Sequence, residues 1–242
     1  MSALATHVAA NVAAVRARIA AATAAAGRSA DSVRLVAVTK SVGPEAIRAV
    51  VAAGCADLAE SRPQQLWQRA VEFAGGFALE GPAAPIAVRW HLVGHLQRNK
   101  VRRTLPLTAL IHSLDSLRLA AAINEDAAAP VPVLLEVNVA GEAAKTGLPP
   151  EAVAPLLPAL AALPRLAVRG LMCMAAWEST PAEARRQFAA LRALRERLRA
   201  DCPPQVVLDE LSMGMSGDFE QAIAEGATIV RIGSALFEGA DA

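Results

Sequence analysis

The sequence predicts a (β/α)8 barrel of the TIM type preceded by one extra helix. Eight short apolar runs alternate with segments of helical periodicity, and 242 residues is a length over which such barrels commonly close as a single unit. A doubly wound open sheet is the alternative for the same alternation, and the number of strands favours the barrel. Neither an internal repeat beyond the alternation nor a low-complexity linker divides the chain. Residues 1–242 are therefore expected to form one domain, with 1–27 as the additional helix.

Taken in order, Leu4, Val8, Val12, Val15 and Ile19 recur at spacings of four, four, three and four, the stripe of an amphipathic helix that Gly27 is placed to end. The segment carries arginines and no acid before Asp31, as organellar transit peptides do, but it lacks their serine richness and runs directly into a strand. A packed helix is the expectation. Strands are expected at 33–39, 57–59, 88–93, 109–114, 131–137, 166–172, 206–211 and 228–232. Helices are expected at 44–53, with Pro44 in the first turn, and at 62–73, 116–128, 151–163, 181–200 and 218–225. Only a short helical turn fits between the third and fourth strands, and another short segment fits at 235–237. Residues 75–85, rich in Gly, Pro and Ala, read as the one long loop.

Composition removes several function classes. With 24 basic and 23 acidic residues, there is no whole-protein field for nucleic acid or an anionic membrane. No uncharged run reaches the ~18 residues a transmembrane helix needs, and the apolar stretch 152–164 is broken by Pro155, Pro158 and Pro164. Cys55, Cys173 and Cys202 are scattered, without the pairing of a disulfide framework or a zinc site, which points to a reducing, cytoplasmic setting. No cation neighbours Cys55 or Cys173 in sequence, so both read as small buried hydrophobes. The arginines between Arg185 and Arg199 lack interleaved aromatics and read as a solvated outer helix face. Tyrosine is absent, which removes one kind of acid–base group.

Barrel enzymes gather their chemistry where strands end. The run Leu35-Val-Ala-Val-Thr-Lys40 puts one lysine at the end of a short apolar strand. Such a lysine either snorkels into solvent as a rim residue, pairs with an acid, or is desolvated into a nucleophile. The loops after strands seven and eight are the ones such barrels use for phosphate. They read Leu211-Ser-Met-Gly-Met-Ser-Gly-Asp218 and Val230-Arg-Ile-Gly-Ser234, with glycines and hydroxyls ahead of helical segments. Turn chemistry with an N-cap serine accounts for either loop alone. A strand-end lysine facing two such loops suits pyridoxal 5'-phosphate, with its aldehyde and phosphate. A phosphorylated sugar held by a Schiff-base aldolase satisfies the same spacing.

Longer matching segments run from the first strand to the last. They are Leu35-Val-Ala-Val-Thr-Lys40, Trp90-His-Leu-Val-Gly-His-Leu-Gln-Arg-Asn-Lys100, Ile111-His-Ser-Leu-Asp115, Glu136-Val-Asn-Val-Ala-Gly-Glu-Ala-Ala-Lys-Thr-Gly147, Arg169-Gly-Leu-Met172, Leu211-Ser-Met-Gly-Met-Ser216 and Val230-Arg-Ile-Gly-Ser234. In these the chain resembles the pyridoxal phosphate homeostasis protein family, single-domain barrels similar to the N-terminal domain of alanine racemase. The resemblance implies Lys40 as the Schiff-base lysine, Ser216, Gly233 and Ser234 as phosphate contacts, and Arg231 facing the pyridine nitrogen. Ser61, His91, Ser212 and Met213 complete the expected cofactor-binding set.

An arginine cannot accept the pyridinium proton, so the ring nitrogen stays unprotonated and the cofactor is a weak electron sink. Two positions depart from the family pattern. Ala59-Glu60-Ser61 stands where Gly-Glu-Asn is usual, and His95 stands where proline usually follows Trp90-His-Leu-Val-Gly94. His91 and His112 lie in or beside strands, where a structural histidine is the common outcome, and His95 reads as a rim residue. Asn138 and Lys145 flank the loop after strand five, Lys145 as a solvated loop lysine.

The expected function is to hold pyridoxal phosphate and take part in its homeostasis and delivery, as a monomer whose partners are the cofactor and pyridoxal-phosphate-dependent apoenzymes. An amino-acid racemase is the alternative. It needs a second base on the opposite face of the substrate carbon, supplied in the related racemases by a tyrosine from a C-terminal β-domain. This chain contains no tyrosine and ends after the eighth strand. The aldolase reading lacks an acid–base partner beside Lys40.

Overall fold

The computed structural model describes residues 2–75, 86–141 and 146–240, so most of the expected loop at 75–85, and Lys145, lie outside the described residues. Eight parallel strands close into a barrel in sequence order. They are β1 (Arg34–Val38), β2 (Asp57–Glu60), β3 (Arg89–Leu92), β4 (Leu110–Leu114), β5 (Val131–Glu136), β6 (Leu166–Met172), β7 (Glu210–Ser212) and β8 (Ile229–Ile232). Closure runs between β1 and β8, from Arg34 beside Ile229 to Ala37 beside Ile232. The connecting helices are α2 (Pro44–Ala52), α3 (Pro63–Glu72), the single turn α4 (Val101–Thr104), α5 (Leu117–Asp126), α6 (Pro150–Ala161), α7 (Pro181–Asp201) and α8 (Phe219–Ala224), with the short α9 (Ser234–Phe237) after β8.

The extra helix, α1 (Ala3–Ala25), buries the stripe read from the sequence: Val8, Val12, Val15 and Ile19 are each at most 6% exposed. It is long and apolar enough to cross a bilayer, yet that stripe packs on the barrel. Polar bonds fix its seat. Arg16 donates to the Ala53 and Gly54 carbonyls beyond α2, Arg18 pairs with Glu220 of α8, and Asn11 donates to the Leu236 and Glu238 carbonyls. The helix gives way at Gly27, whose φ of 66° is the left-handed conformation glycine adopts without strain.

Alternation along the strands divides the side chains into two layers. Outward residues such as Leu35, Ala37, Val230 and Ile232 join the large core between sheet and helices. Inward residues form a small apolar cluster of Val36, Ala59, Leu110, Leu134, Met172 and Ile229. The rest of the lumen is polar: Asp57, His91, His112, Ser212 and Arg231 are all at most 6% exposed.

The seventh strand corrects the sequence reading. Residues 206–211 were expected, but the strand spans Glu210–Ser212, paired with Gly170, Leu171 and Met172 of β6, although the Val207 amide still donates to the Val168 carbonyl. A Cβ on Gly170 would lie 1.9 Å from the Glu210 carbonyl oxygen, so a glycine is what lets the two backbones meet there. The apolarity of Val206 and Leu208 reflects burial in the outer core instead of a continuous ladder. The first strand also stops at Val38, one residue short of the expected end, although the Thr39 amide still donates to the Ala59 carbonyl.

Gly94 has a similar role beside the mouth. A Cβ there would sit 2.1 Å from the Ser61 carbonyl oxygen at the end of β2. Gly94→Ala must push these two strand ends apart, and we expect a loss of about 1–3 kcal/mol, read as a lowered midpoint in urea unfolding.

Candidate functional site at the barrel mouth

The carboxyl ends of β1, β7 and β8 converge. Lys40 follows β1 by two residues and is exposed, while its own carbonyl accepts a 2.8 Å hydrogen bond from Gln65 of α3. Beside it, Thr39 is buried and its hydroxyl donates to Glu60 Oε1 at 2.6 Å. Glu60 is itself fully buried, and its Oε2 has no hydrogen-bond partner. Burial pushes this carboxyl above the usual range, opposed by the Thr39 bond and by the charges of Arg69 and Lys40.

The expected phosphate residues come together across the mouth. The Ser216 hydroxyl accepts from the amides of Gly233 and Ala235, each at 3.3 Å, so the loop after β7 meets the start of α9 at one point. Gly233 packs against the end of β1, since a Cβ there would touch the Val38 carbonyl at 3.4 Å. The turn before Ser216 depends on Gly214. Its φ is 93°, and a Cβ would meet Ala222 of α8 at 2.6 Å, so neither the conformation nor the space admits a side chain. Ser234 opens α9. Met213 buries its side chain in the outer core, so any contact from that residue is through its main chain.

Arg231 is 4% exposed and points into the lumen beside Val36 of β1. Its Nη1 donates to the Ser212 hydroxyl oxygen at 2.6 Å and its Nη2 to the Cys173 carbonyl at 2.9 Å. Burial lowers the guanidinium's pKa, opposed by Cys173, Asp218 and Glu136. Arginine has more N–H donors than these two bonds use.

Ser212 leads further down the barrel. His112 Nδ1 lies 2.8 Å from the Ser212 hydroxyl, His112 Nε2 lies 2.9 Å from His91 Nδ1, and His91 Nε2 lies 3.0 Å from Asp57 Oδ1. Arg89 closes the far end with two bonds to the Asp57 carboxylate, at 2.7 and 2.6 Å. Both ring nitrogens of His91 are thus engaged by protein groups below the mouth. Burial drives the His112 pKa well down, helped by its neighbours His91, Arg231 and Arg34, so this ring is neutral. Sequence reading found both histidines in strands but missed that Asp57 joins them.

The remaining candidates are peripheral. His95 is half exposed and bonds Asp115 at 3.1 Å, a rim arrangement. Ser61 is half-buried at the end of β2. Asn138 accepts from the Gly141 amide, and Lys145 is outside the described residues. Cys173 is buried, as expected, and so is Cys55, but a cation neighbours each of them: Arg231 bonds the Cys173 carbonyl, and Arg16 lies beside Cys55. Burial raises its thiol pKa and Arg16 of α1 opposes it, a pairing across 39 residues that the sequence does not display. On α7, Arg185 and Arg192 both pair with Glu225 beyond α8, so the arginine face is tied to the barrel as well as solvated.

Comparison with known proteins gives this geometry a context. A family model described as the N-terminal domain of alanine racemase matches residues 10–241. The pyridoxal phosphate homeostasis protein of Pseudomonas aeruginosa is 41% identical over 237 residues, 97% of this chain and 96% of that protein. The chain belongs to the pyridoxal phosphate homeostasis protein family. The solved structure of PipY from Synechococcus elongatus with pyridoxal phosphate bound superposes with a TM-score of 0.81 at 33% identity, covering 95% of this chain and 99% of that one. Alanine racemase from Corynebacterium glutamicum shares the fold, with a TM-score of 0.69 at 18% identity. That match covers 96% of this chain and 61% of the racemase.

Proposed function

We propose that this member of the family binds pyridoxal 5'-phosphate through Lys40 as a Schiff base, stores it, and gives it up to pyridoxal-phosphate-dependent apoenzymes. The observation that carries the reading is the convergence of an exposed lysine after β1 with the Ser216, Gly233 and Ala235 cluster and the buried Arg231 of the adjacent β8. These groups fit the cofactor's chemistry. Lys40 supplies the amine. The hydroxyls of Ser216 and Ser234 supply donors for a phosphate, and the Gly233 and Ala235 amides, which donate to the Ser216 oxygen, hold that hydroxyl in place. Arg231 supplies a donor, never an acceptor, for the ring nitrogen. When bound, the cofactor offers an electrophilic carbonyl carbon and, with an unprotonated ring, a weak electron sink.

The Pseudomonas protein supports the reading by its name, and PipY by its bound ligand. Racemisation is not favoured: the sequence contains no tyrosine, and His91 and His112 are bonded within the lumen. The buried thiols of Cys55 and Cys173 support a reducing, cytoplasmic setting.

Incubation with pyridoxal phosphate, borohydride reduction and peptide mass mapping test the assignment. One phosphopyridoxyl group on Lys40 is the expected result. Chiral chromatography after incubation with single L-amino acids is expected to show no D form. An unlabelled protein overturns cofactor attachment, and catalytic formation of a D-amino acid overturns the storage role.

A further inference from the structure

The hydrogen bonds beneath Arg231 have a direction. Asp57 is held well below the usual carboxylate range: burial raises it, but the hydrogen bonds from Arg89 and His91 and the Arg89 charge more than offset that. It is therefore a carboxylate and can only accept. His91 Nε2 must then donate to it. The relay requires one proton on each ring, so that His91 Nδ1 accepts from His112 Nε2 and His112 Nδ1 accepts from the Ser212 hydroxyl. The Ser212 oxygen is left to accept from Arg231 Nη1. Every donor between the guanidinium and the barrel floor is used once, and all point toward Asp57.

We propose that Asp57, His91 and His112 are positioning residues for Arg231, acting through the Ser212 hydroxyl to fix the guanidinium that meets the cofactor's ring nitrogen. The proposal rests on the placement of Arg231 argued above and adds a buried apparatus on three further strands. A lumen filled by leucine and valine would avoid burying these polar groups, as the neighbouring cluster of Val36, Leu110, Leu134 and Ile229 does. Such networks orient a group more strictly than a single bond does, because each member fixes the rotamer or tautomer of the next. Asp57 chooses the His91 tautomer, His91 chooses that of His112, and His112 turns the Ser212 proton away from Arg231. If this order is broken, the serine can rotate its proton toward the guanidinium and the acceptor is lost.

The test begins with cofactor-free protein carrying 15N-labelled histidine. Two-bond proton–nitrogen spectra are expected to show the Nε2–H tautomer at both His91 and His112, and Asp57→Asn is expected to mix the tautomers at both. The protein is then loaded with pyridoxal phosphate labelled with 15N in the ring. Asp57→Asn is expected to move the ring-nitrogen resonance and to weaken binding by about three- to tenfold, the range of one misdirected hydrogen bond. An Nδ1–H tautomer at either histidine in the unaltered protein overturns the relay. So does an unmoved ring-nitrogen signal with unchanged affinity. If Asp57→Asn fails to fold, Ser212→Ala removes one hydroxyl at the other end of the chain and is expected to move the same resonance, with the same contrary outcome. Arg231→Met tests the underlying placement by itself. An unmoved signal there overturns the position assigned to Arg231, whereas a signal that moves there but not in Asp57→Asn overturns the relay alone.

Discussion

Replacing Lys40 by alanine is expected to abolish the borohydride-fixable attachment of pyridoxal phosphate while leaving the fold unchanged. Lys40 is exposed after β1, and the bond that anchors this stretch, from Gln65 to the Lys40 carbonyl, uses main chain that alanine retains. Stability should move by no more than ~0.5 kcal/mol, as for other surface substitutions. The Ser216 hydroxyl and the Gly233 and Ala235 amides that hold it do not depend on the lysine, so reversible phosphate-anchored binding should persist. Absorbance titration and mass mapping check both halves. A reduced adduct that survives in Lys40→Ala would place attachment on another lysine and remove the premise on which the site is built.

Asp57→Ala is expected to have the largest effect on stability, about 3 kcal/mol at neutral pH. Asp57 is nearly buried and accepts from both Arg89 and His91, so its removal strands an imidazole donor and takes a guanidinium's partner. The exposure of Arg89, 61% in its side chain, keeps the loss at the lower end for a broken buried pair. The pH dependence has a definite sign. Because the folded-state pKa is depressed below the unfolded value, the stabilisation is present above the ordinary carboxylate range, near pH ~4, and drains away as pH falls through and below it. The unaltered protein should therefore lose stability between pH 6 and pH 3 more steeply than Asp57→Ala, with the two urea midpoints approaching each other in acid. Parallel curves would mean that Asp57 is not the acid-sensitive anchor of the barrel floor.

Glu60 has the opposite sign. Its raised pKa means the buried carboxyl is best tolerated protonated, so its contribution to folding is most favourable below its unfolded pKa and declines as pH rises through the folded value. The two carboxylates lie three residues apart on β2, with opposite neighbours on its two faces. Asp57 looks into the polar lumen, toward His91. Glu60 is bonded to Thr39 on β1's extension, with one oxygen unpartnered.

Much of the site was legible in the sequence because its parts are local. A lysine after an apolar strand, glycines and hydroxyls ahead of a helical segment, and an arginine within the last strand are all read within a few residues. The alternation of strand and helix fixed their order around the barrel. Boundaries followed the same logic where apolarity and pairing coincide, as at Leu166–Met172. They failed at β7, where Val206 and Leu208 are buried in the outer core but the ladder begins only at Glu210, opposite Gly170.

The lumen was decided by tertiary structure alone. Strand periodicity can show that Asp57, His91, His112, Ser212 and Arg231 each occupy a face, but not which face meets which. Their bonds link residues 19 to 100 positions apart across β2, β3, β4, β7 and β8. Whether two such side chains meet depends on the register between strands and on the stagger with which the barrel closes. Both are set by packing summed over the whole sheet, and no short stretch of sequence encodes them. The sequence by itself thus determined the barrel and the residues at its mouth. Closure determined what lies beneath them, a directed line of hydrogen bonds from the buried arginine to the floor.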